Sequence, residues 1–458
     1  MITKILIANR GEIAVRIIRA CKEMGITTVA IYSEVDKDAL HVTLADESYC
    51  IGPAQVNRSY LNMMVIIMAA IASGAQAIHP GYGLLSENAK FALLCEQCNI
   101  IFIGPKSKVI SLMGEKDNAK KIMKSVGVPV IPGSDAVYDV KIAKKIASEI
   151  GYPLLIKARS GGGGKGIRLV MQENEFENAF LTASTEAMNG VGDGACYLEK
   201  YLIPVKHVEM QILCDNYGNI LCLGERDCSL QRKNQKLIEE SPSTAIDNEL
   251  RKRMIEMSVK AAKAVNYTGA GTFEFLLDES YNLYFMEMNT RLQVEHPVSE
   301  MVTGIDIVKW QIRIAAGLEL TLKQDEIELR GHSIECRIYA ESPQQDFRPS
   351  SGKVSLFHSL GGPGVRFDTA IYQNYYMLPF YDSLLGKLIV YASTREEAIR
   401  KMTVALCELT IEGVEHNGAL QMSILTSEMF KSGKYSNNPA FIEDILKKMD
   451  QGSVDIKC

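Results

Sequence analysis

The first hundred residues alternate two hydrophobic rhythms. A short apolar run at Lys4–Ala8 reads as a buried strand, and Thr27–Tyr32 reads as another. Between them Ile13, Ile17, Ile18 and Cys21 recur at helical spacing over Glu12–Met24, and Gly25 closes that helix. The alternation continues with a helix over Leu61–Ala72, a strand at Gln76–Ile78 and a turn at His79-Pro80-Gly81-Tyr82-Gly83. A helix over Glu87–Cys98 and a strand at Ile100–Ile103 complete the block. Strands alternating with helices predict a parallel sheet covered on both faces.

The rhythm changes at Val128-Pro129-Val130-Ile131-Pro132-Gly133, a candidate boundary. As far as about Tyr201 the pattern predicts a small α+β unit. It holds a helix at Val140–Ile150, a strand at Pro153–Ala158, a glycine-rich loop and a strand at Ile167–Val170. From about Pro204 strands dominate, with a long helix near Glu249–Val265. Phe273–Leu276 and Tyr284–Met288 alternate apolar and polar residues around a turn at Asp278–Asn282, so they form a hairpin. The predicted class is therefore a multidomain chain, α/β at its N-terminus and α+β beyond.

Bulk properties narrow the function. A chain of 458 residues suggests two to four domains. A net charge of −5 argues against nucleic-acid binding by charge alone. The N-terminal apolar run is too short for a signal peptide. The longest apolar stretch, Met63–Ala72, is about half of what a spanning helix needs. A cytoplasmic enzyme with no membrane partner is expected. The 11 scattered cysteines read as reduced thiols, and Cys95 and Cys98 as helix packing. The first strand lacks a G-x-G-x-x-G turn after it, so a dinucleotide site is not supported.

Four stretches carry chemistry. Lys157 leads a strand into Gly161-Gly162-Gly163-Gly164, where missing β-carbons let backbone N–H groups approach an anion. The loop is not of Walker A type, since Gly166 and Ile167 follow Lys165. Glu274 and Glu287 can face the same side of their hairpin. With Asn289 they offer hard oxygen ligands suited to Mg²⁺ carrying nucleotide phosphates. Asn289-Thr290-Arg291-Leu292-Gln293-Val294-Glu295-His296-Pro297 follows directly. Arg291 can clamp a small planar anion, Glu295 is a candidate base, and His296 is structural or catalytic. Finally, Glu225–Lys236 carries Arg226, Arg232, Lys233 and Lys236, read as anion ligands beside such a site.

Together these stretches resemble the ATP-grasp superfamily, and within it biotin carboxylase. Supporting residues are Ile7-Ala8-Asn9-Arg10-Gly11-Glu12-Ile13-Ala14, His79-Pro80-Gly81-Tyr82-Gly83, Ser86-Glu87-Asn88, Gln293-Val294-Glu295-His296-Pro297, Glu335-Cys336-Arg337-Ile338 and Tyr381-Asp382-Ser383. The resemblance covers nearly the whole chain. It implies an N-terminal α/β domain at 1–113, an ATP-grasp domain at 114–330 with a mobile lid at about 131–203, and a β-rich C-terminal domain at 331–446. It implies that Lys116 and Lys157 hold the ATP phosphates and that Gly163 and Gly164 close over them. Glu199, Lys200 and Leu202 would form the adenine hinge, with His207 and Gln231 near the ribose and phosphates. Glu274, Glu287 and Asn289 would bind Mg²⁺ or Mn²⁺. Lys236, Arg291, Gln293 and Val294 would surround bicarbonate, and Glu295 would deprotonate it. Arg337 would hold the biotin ureido oxygen, while Tyr82 and Asp382 line or support that pocket.

The chain departs from the family pattern at Asn234, where familiar bacterial members have histidine; an amide can hydrogen-bond but cannot carry charge. It also contains no Ala-Met-Lys-Met biotin-attachment sequence. The resemblance therefore implies a component of acetyl-CoA carboxylase or a related multi-subunit enzyme. Biotin would arrive on a separate carrier protein, and carboxyltransferase subunits would handle the acceptor. A homodimer is implied too, with Arg16, Arg19 and Phe380–Ser383 as interface candidates. Two rival readings are another ATP-grasp ligase, of carboxylate–amine or carbamoyl-phosphate type, and a nucleotide-binding regulator without catalysis.

Overall fold

The computed structural model describes residues 2–158, 167–233 and 235–451. Its N-terminal part is a parallel five-stranded sheet in the order β3-β2-β1-β4-β5. The strands are β1 (Lys4–Ile7), β2 (Thr27–Tyr32), β3 (Glu47–Cys50), β4 (Ala77–His79) and β5 (Ile101–Phe102). The expected strands and helices are all present, with ends shifted by at most two residues; β3 has weak hydrophobic patterning. The strand order reverses between β1 and β4. The carboxyl edge at such a reversal is the usual place for a site in these sheets. Asn9, after β1, ties the two loops together there by donating to the carbonyls of Pro80 (2.7 Å) and Tyr82 (2.8 Å). Gly81 turns there at φ 64°, and a β-carbon would lie 2.8 Å from the Asn9 amide.

The segment after residue 130 forms a three-stranded antiparallel sheet, β7-β6-β8. Its strands are β6 (Leu154–Ala158), β7 (Ile167–Val170) and β8 (Cys196–Lys200). Phe176 and Phe180 fill its core from the helix Glu173–Val191.

The remainder is built on one eight-stranded sheet. Five strands come from the middle of the chain: β9 (Lys206–Cys214), β10 (Ile220–Arg232), β11 (Gln235–Ser241), β12 (Gly269–Leu277) and β13 (Leu283–Asn289). The next, β14 (His332–Tyr339), pairs antiparallel with β11, and Leu384–Ala392 and Val365–Thr369 follow it outward. Strands on either side of residue 330 thus share one hydrogen-bonded sheet.

Of the interface candidates, Arg16 is buried and bonded within the chain to Glu300 (2.9 Å) and Asp306 (2.8 Å), and Arg19 is exposed. One expectation is corrected. Cys95 and Cys98 are free, as are most described cysteines, but Cys407 is disulfide-bonded. No helix among the described residues is long and apolar enough to cross a membrane.

Candidate active site

The site begins with strand register. Arg226, Glu209, Glu274 and Glu287 stand directly opposite one another on β10, β9, β12 and β13. Two residues along, Gln211, Thr272 and Asn289 form a second row on the same face. Such rows bring together charges that local sequence keeps apart.

Glu274 is the hub. Its carboxylate meets His207 Nε2 at 2.8 Å and accepts from Asn289 at 2.6 Å and Gln293 at 2.8 Å. Lys236 lies 3.5 Å away. Burial pushes this carboxyl up, but Lys236 and His207 outweigh burial and hold it below the ordinary range. Gln231 donates to the Cys228 carbonyl (2.7 Å) and with the same nitrogen meets His207 Nδ1 (2.6 Å). That leaves His207 Nε2–H to face Glu274. Glu287 is more open and reaches Lys116 at 3.6 Å. Burial, then the Glu274 charge opposite, raise its carboxyl. Together Glu274 and Glu287 present hard oxygens that fit a divalent ion. The Asn289 carbonyl, an expected third ligand, accepts instead from Arg291 at 2.8 Å. The donor atoms of His207, Glu209 and Glu274 also lie within 4.8 Å of one another. Glu209, however, is fully buried between Arg226 (2.6 Å) and Lys236 (2.7 Å), whereas Glu287 is open to solvent, so the Glu274–Glu287 pair is the more accessible cation site.

Beside it, Lys236 Nζ meets Glu295 at 2.5 Å, and Arg337 donates to Glu295 at 2.9 Å. Arg337 also donates to the buried Glu239 at 2.6 Å. Burial raises Glu295, but Lys236, Arg337 and Arg226 hold it well below the usual carboxylate range. Burial wins at Glu239, which is pushed up to about 7 against the pull of Arg337. Arg291 is anchored by Glu87 at 2.8 Å. His296 is structural. Its Nδ1 meets the Gln293 carbonyl at 2.8 Å, and burial followed by nearby cations hold its ring well below an ordinary imidazole.

A second cluster lies on the small sheet. Lys157 and Lys120 both pair with Glu199. Burial raises Glu199, but Lys157 and then Lys120 lower it below the ordinary range. Lys200 donates to the carbonyls of Gly151 (3.2 Å) and Tyr152 (2.8 Å), and Leu202 follows, half-buried. Lys116 and Lys120, one turn apart on helix Lys116–Ser125, join the clusters: the first reaches Glu287, the second Glu199. Tyr82 lies farther off, donating to Glu12. Asp382 accepts from the Leu384 N–H at 2.8 Å. Gly163, Gly164 and Asn234 lie outside the described residues.

The cationic run needs correction: of its four cations only Lys236 meets the Glu274–Glu295 site. Arg226 is fully buried and donates to Glu209, Gln211, Ser299, Thr272 and Gln293. Arg232 and Lys233 pair with Asp346. Reasoning from sequence also missed Glu209, Glu239, Lys120, Glu12 and Lys387. Of these only Lys387 carries a local signal, as the single charge in the apolar strand Leu384–Ala392.

An antiparallel sheet of this kind, two glutamates paired across a hairpin, and a lysine-bearing sheet joined to them by one helix define an ATP-grasp ligase. Residues 115–323 match the carbamoyl-phosphate synthase L chain ATP-binding domain. Residues 1–110 match the biotin carboxylase N-terminal domain, and residues 335–444 the biotin carboxylase C-terminal domain. The chain is 54% identical over 445 residues to biotin carboxylase 1 of Bacillus subtilis, covering 97% of this chain and 98% of that one. It also resembles the biotin carboxylase domain dimer of Hydrogenobacter thermophilus 2-oxoglutarate carboxylase, solved with MgADP, ADP and bicarbonate. That structure has a TM-score of 0.92 and 51% identity over 97% of this chain and 98% of its own. A Campylobacter jejuni biotin carboxylase–nucleotide complex matches with a TM-score of 0.92 and 50% identity over 96% of this chain and 99% of its own. The chain belongs to the biotin carboxylase family.

Proposed function

We propose that this chain carboxylates biotin on a separate carrier protein, using ATP and bicarbonate and releasing ADP and phosphate. The observation that carries the reading is Glu295 held between Lys236 and Arg337, next to the Glu274–Glu287 pair. A nucleotide-binding regulator would not need an ionised base there. A carboxylate–amine or carbamoyl-phosphate ligase would not need Arg337 there.

Lys116 and Lys157 hold the ATP phosphates, exchanging their present partners Glu287 and Glu199 for them. Glu199, Lys200 and Leu202 receive the adenine, with Gly163 and Gly164 over the phosphates and His207, Gln231 and Asn234 alongside. Glu274 and Glu287, with Asn289 once it turns from Arg291, would hold Mg²⁺ or Mn²⁺, which supplies charge neutralisation on the transferring phosphoryl group. Lys236, Arg291, Gln293 and Val294 bind bicarbonate. Its entry draws Lys236 from Glu295, raising the basicity of that carboxylate at the moment it must take the bicarbonate proton. Bicarbonate oxygen then attacks the γ-phosphorus and ADP leaves, giving carboxyphosphate, which splits to CO₂ and phosphate. The phosphate takes the biotin N–H proton, Arg337 holds the ureido oxygen as it becomes anionic, and the nitrogen attacks CO₂. Tyr82 and Asp382 support the biotin pocket.

The proposed domains are residues 1–113, 114–330 and 331–446; gaps between the three matched ranges fall near both boundaries. The proposed partners are the carrier, carboxyltransferase subunits and a second copy of the chain, working in the cytoplasm. The test is ATP hydrolysis with and without bicarbonate and free biotin. Both should stimulate it, and a chelator of divalent ions should remove the stimulated rate. Lack of stimulation by either compound overturns the reading.

A further inference from the structure

Lys387 lies in the middle of an apolar strand and its side chain is 0% exposed. A buried ammonium kept only to balance charge would sit closest to carboxylates. This one does not. Its Nζ is 3.3 Å from Glu12 and 4.0 Å from Asp368. Among the described residues, neither oxygen of Glu335, buried nearby, has a hydrogen-bond partner. The ammonium's shortest contact, 2.9 Å, is the neutral carbonyl of Val294.

That carbonyl belongs to the segment between Gln293 and Glu295. Peptide groups are planar and trans, so the Val294 carbonyl and the Glu295 N–H point in opposite directions. A donor fixed on the carbonyl therefore sets the orientation of the whole peptide. The preceding carbonyl, of Gln293, is fixed likewise by His296. With both carbonyls held in this way, the Glu295 side chain meets Lys236 and Arg337. Lys387 is also the cross-strand neighbour of Arg337. Glu12, which meets Lys387, accepts from Tyr82. One ammonium thus touches the N-terminal part through Glu12 and the segment carrying Glu295 through Val294.

We infer that Lys387 is a positioning residue for the bicarbonate site: by holding the Val294 carbonyl it orients the Val294–Glu295 peptide that faces the anion. This rests on the reading of the site as a bicarbonate site. The test is the half-saturation of magnesium-dependent ATP hydrolysis for bicarbonate and for ATP separately. Lys387→Met should raise the bicarbonate value about tenfold, the order of one charge-assisted hydrogen bond, and leave the ATP value unchanged. The double variant Lys387→Met/Glu12→Gln removes the unpaired buried carboxylate, restoring stability without restoring bicarbonate affinity. A folded methionine variant with wild-type bicarbonate half-saturation overturns the inference. If neither methionine variant folds, Lys387→Arg decides, because it keeps a cation for Glu12. A displaced guanidinium should still shift bicarbonate and not ATP, and no shift overturns the inference. If the wild type itself shows no bicarbonate dependence, the functional reading has failed instead.

Discussion

Glu295→Gln should lower bicarbonate-dependent ATP hydrolysis by about 10²–10⁴-fold, the range for losing a positioned general base. Glutamine keeps the size and one oxygen of the side chain but cannot accept the bicarbonate proton. The fold should survive. Lys236 retains Glu209 at 2.7 Å, and Arg337 retains Glu239 at 2.6 Å, so neither cation is left without a carboxylate. Steady-state rates at saturating ATP and bicarbonate measure the loss, and thermal unfolding separates it from instability. A variant within a few-fold of wild type would remove Glu295 as the base.

Arg226→Met should cost about 3 kcal/mol of stability, the lower end for breaking a buried ion pair from one side. The guanidinium is fully buried and satisfies five side chains, and Met returns none of those hydrogen bonds. The lower end applies because Lys236 still pairs with Glu209. Denaturant titration measures the change. A midpoint unchanged from wild type would show that the row of charges across β10, β9 and β12 contributes little net stability.

Arg226 also shows where sequence reading stops. Its neighbours Glu225, Asp227, Arg232 and Lys233 look like a solvated or anion-binding face, yet the strand is buried over most of its length. Nothing local distinguishes an arginine that greets a ligand from one that braces the glutamates beneath it. Glu209 is hidden in a related way: His207–Ile212 alternates polar and apolar residues as a half-exposed strand does, yet both faces are buried. What was legible rests on short-range geometry. The helix–strand alternation of the first hundred residues predicts its parallel sheet, and the brief turn at Asp278–Asn282 sets Glu274 opposite Glu287. The separate roles of Glu295 and Arg337 were legible only as a resemblance, and their contact was not foreseen, because it depends on β11 pairing with β14 across some hundred residues of chain.

That pairing has a consequence for dissecting the molecule. β14 gives β11 its hydrogen-bond partner at residues 238–241 and lays Arg337 against Glu239. A chain cut at residue 330 would strip the outer strands away and leave β11 as a bare edge with unpaired N–H and C=O groups. Such edges seek other strands, so the product would be an aggregating fragment and not a free-standing nucleotide-binding unit. The part of the chain that carries Glu274 and Glu287 and the part that carries Arg337 thus adjoin within a single β-sheet.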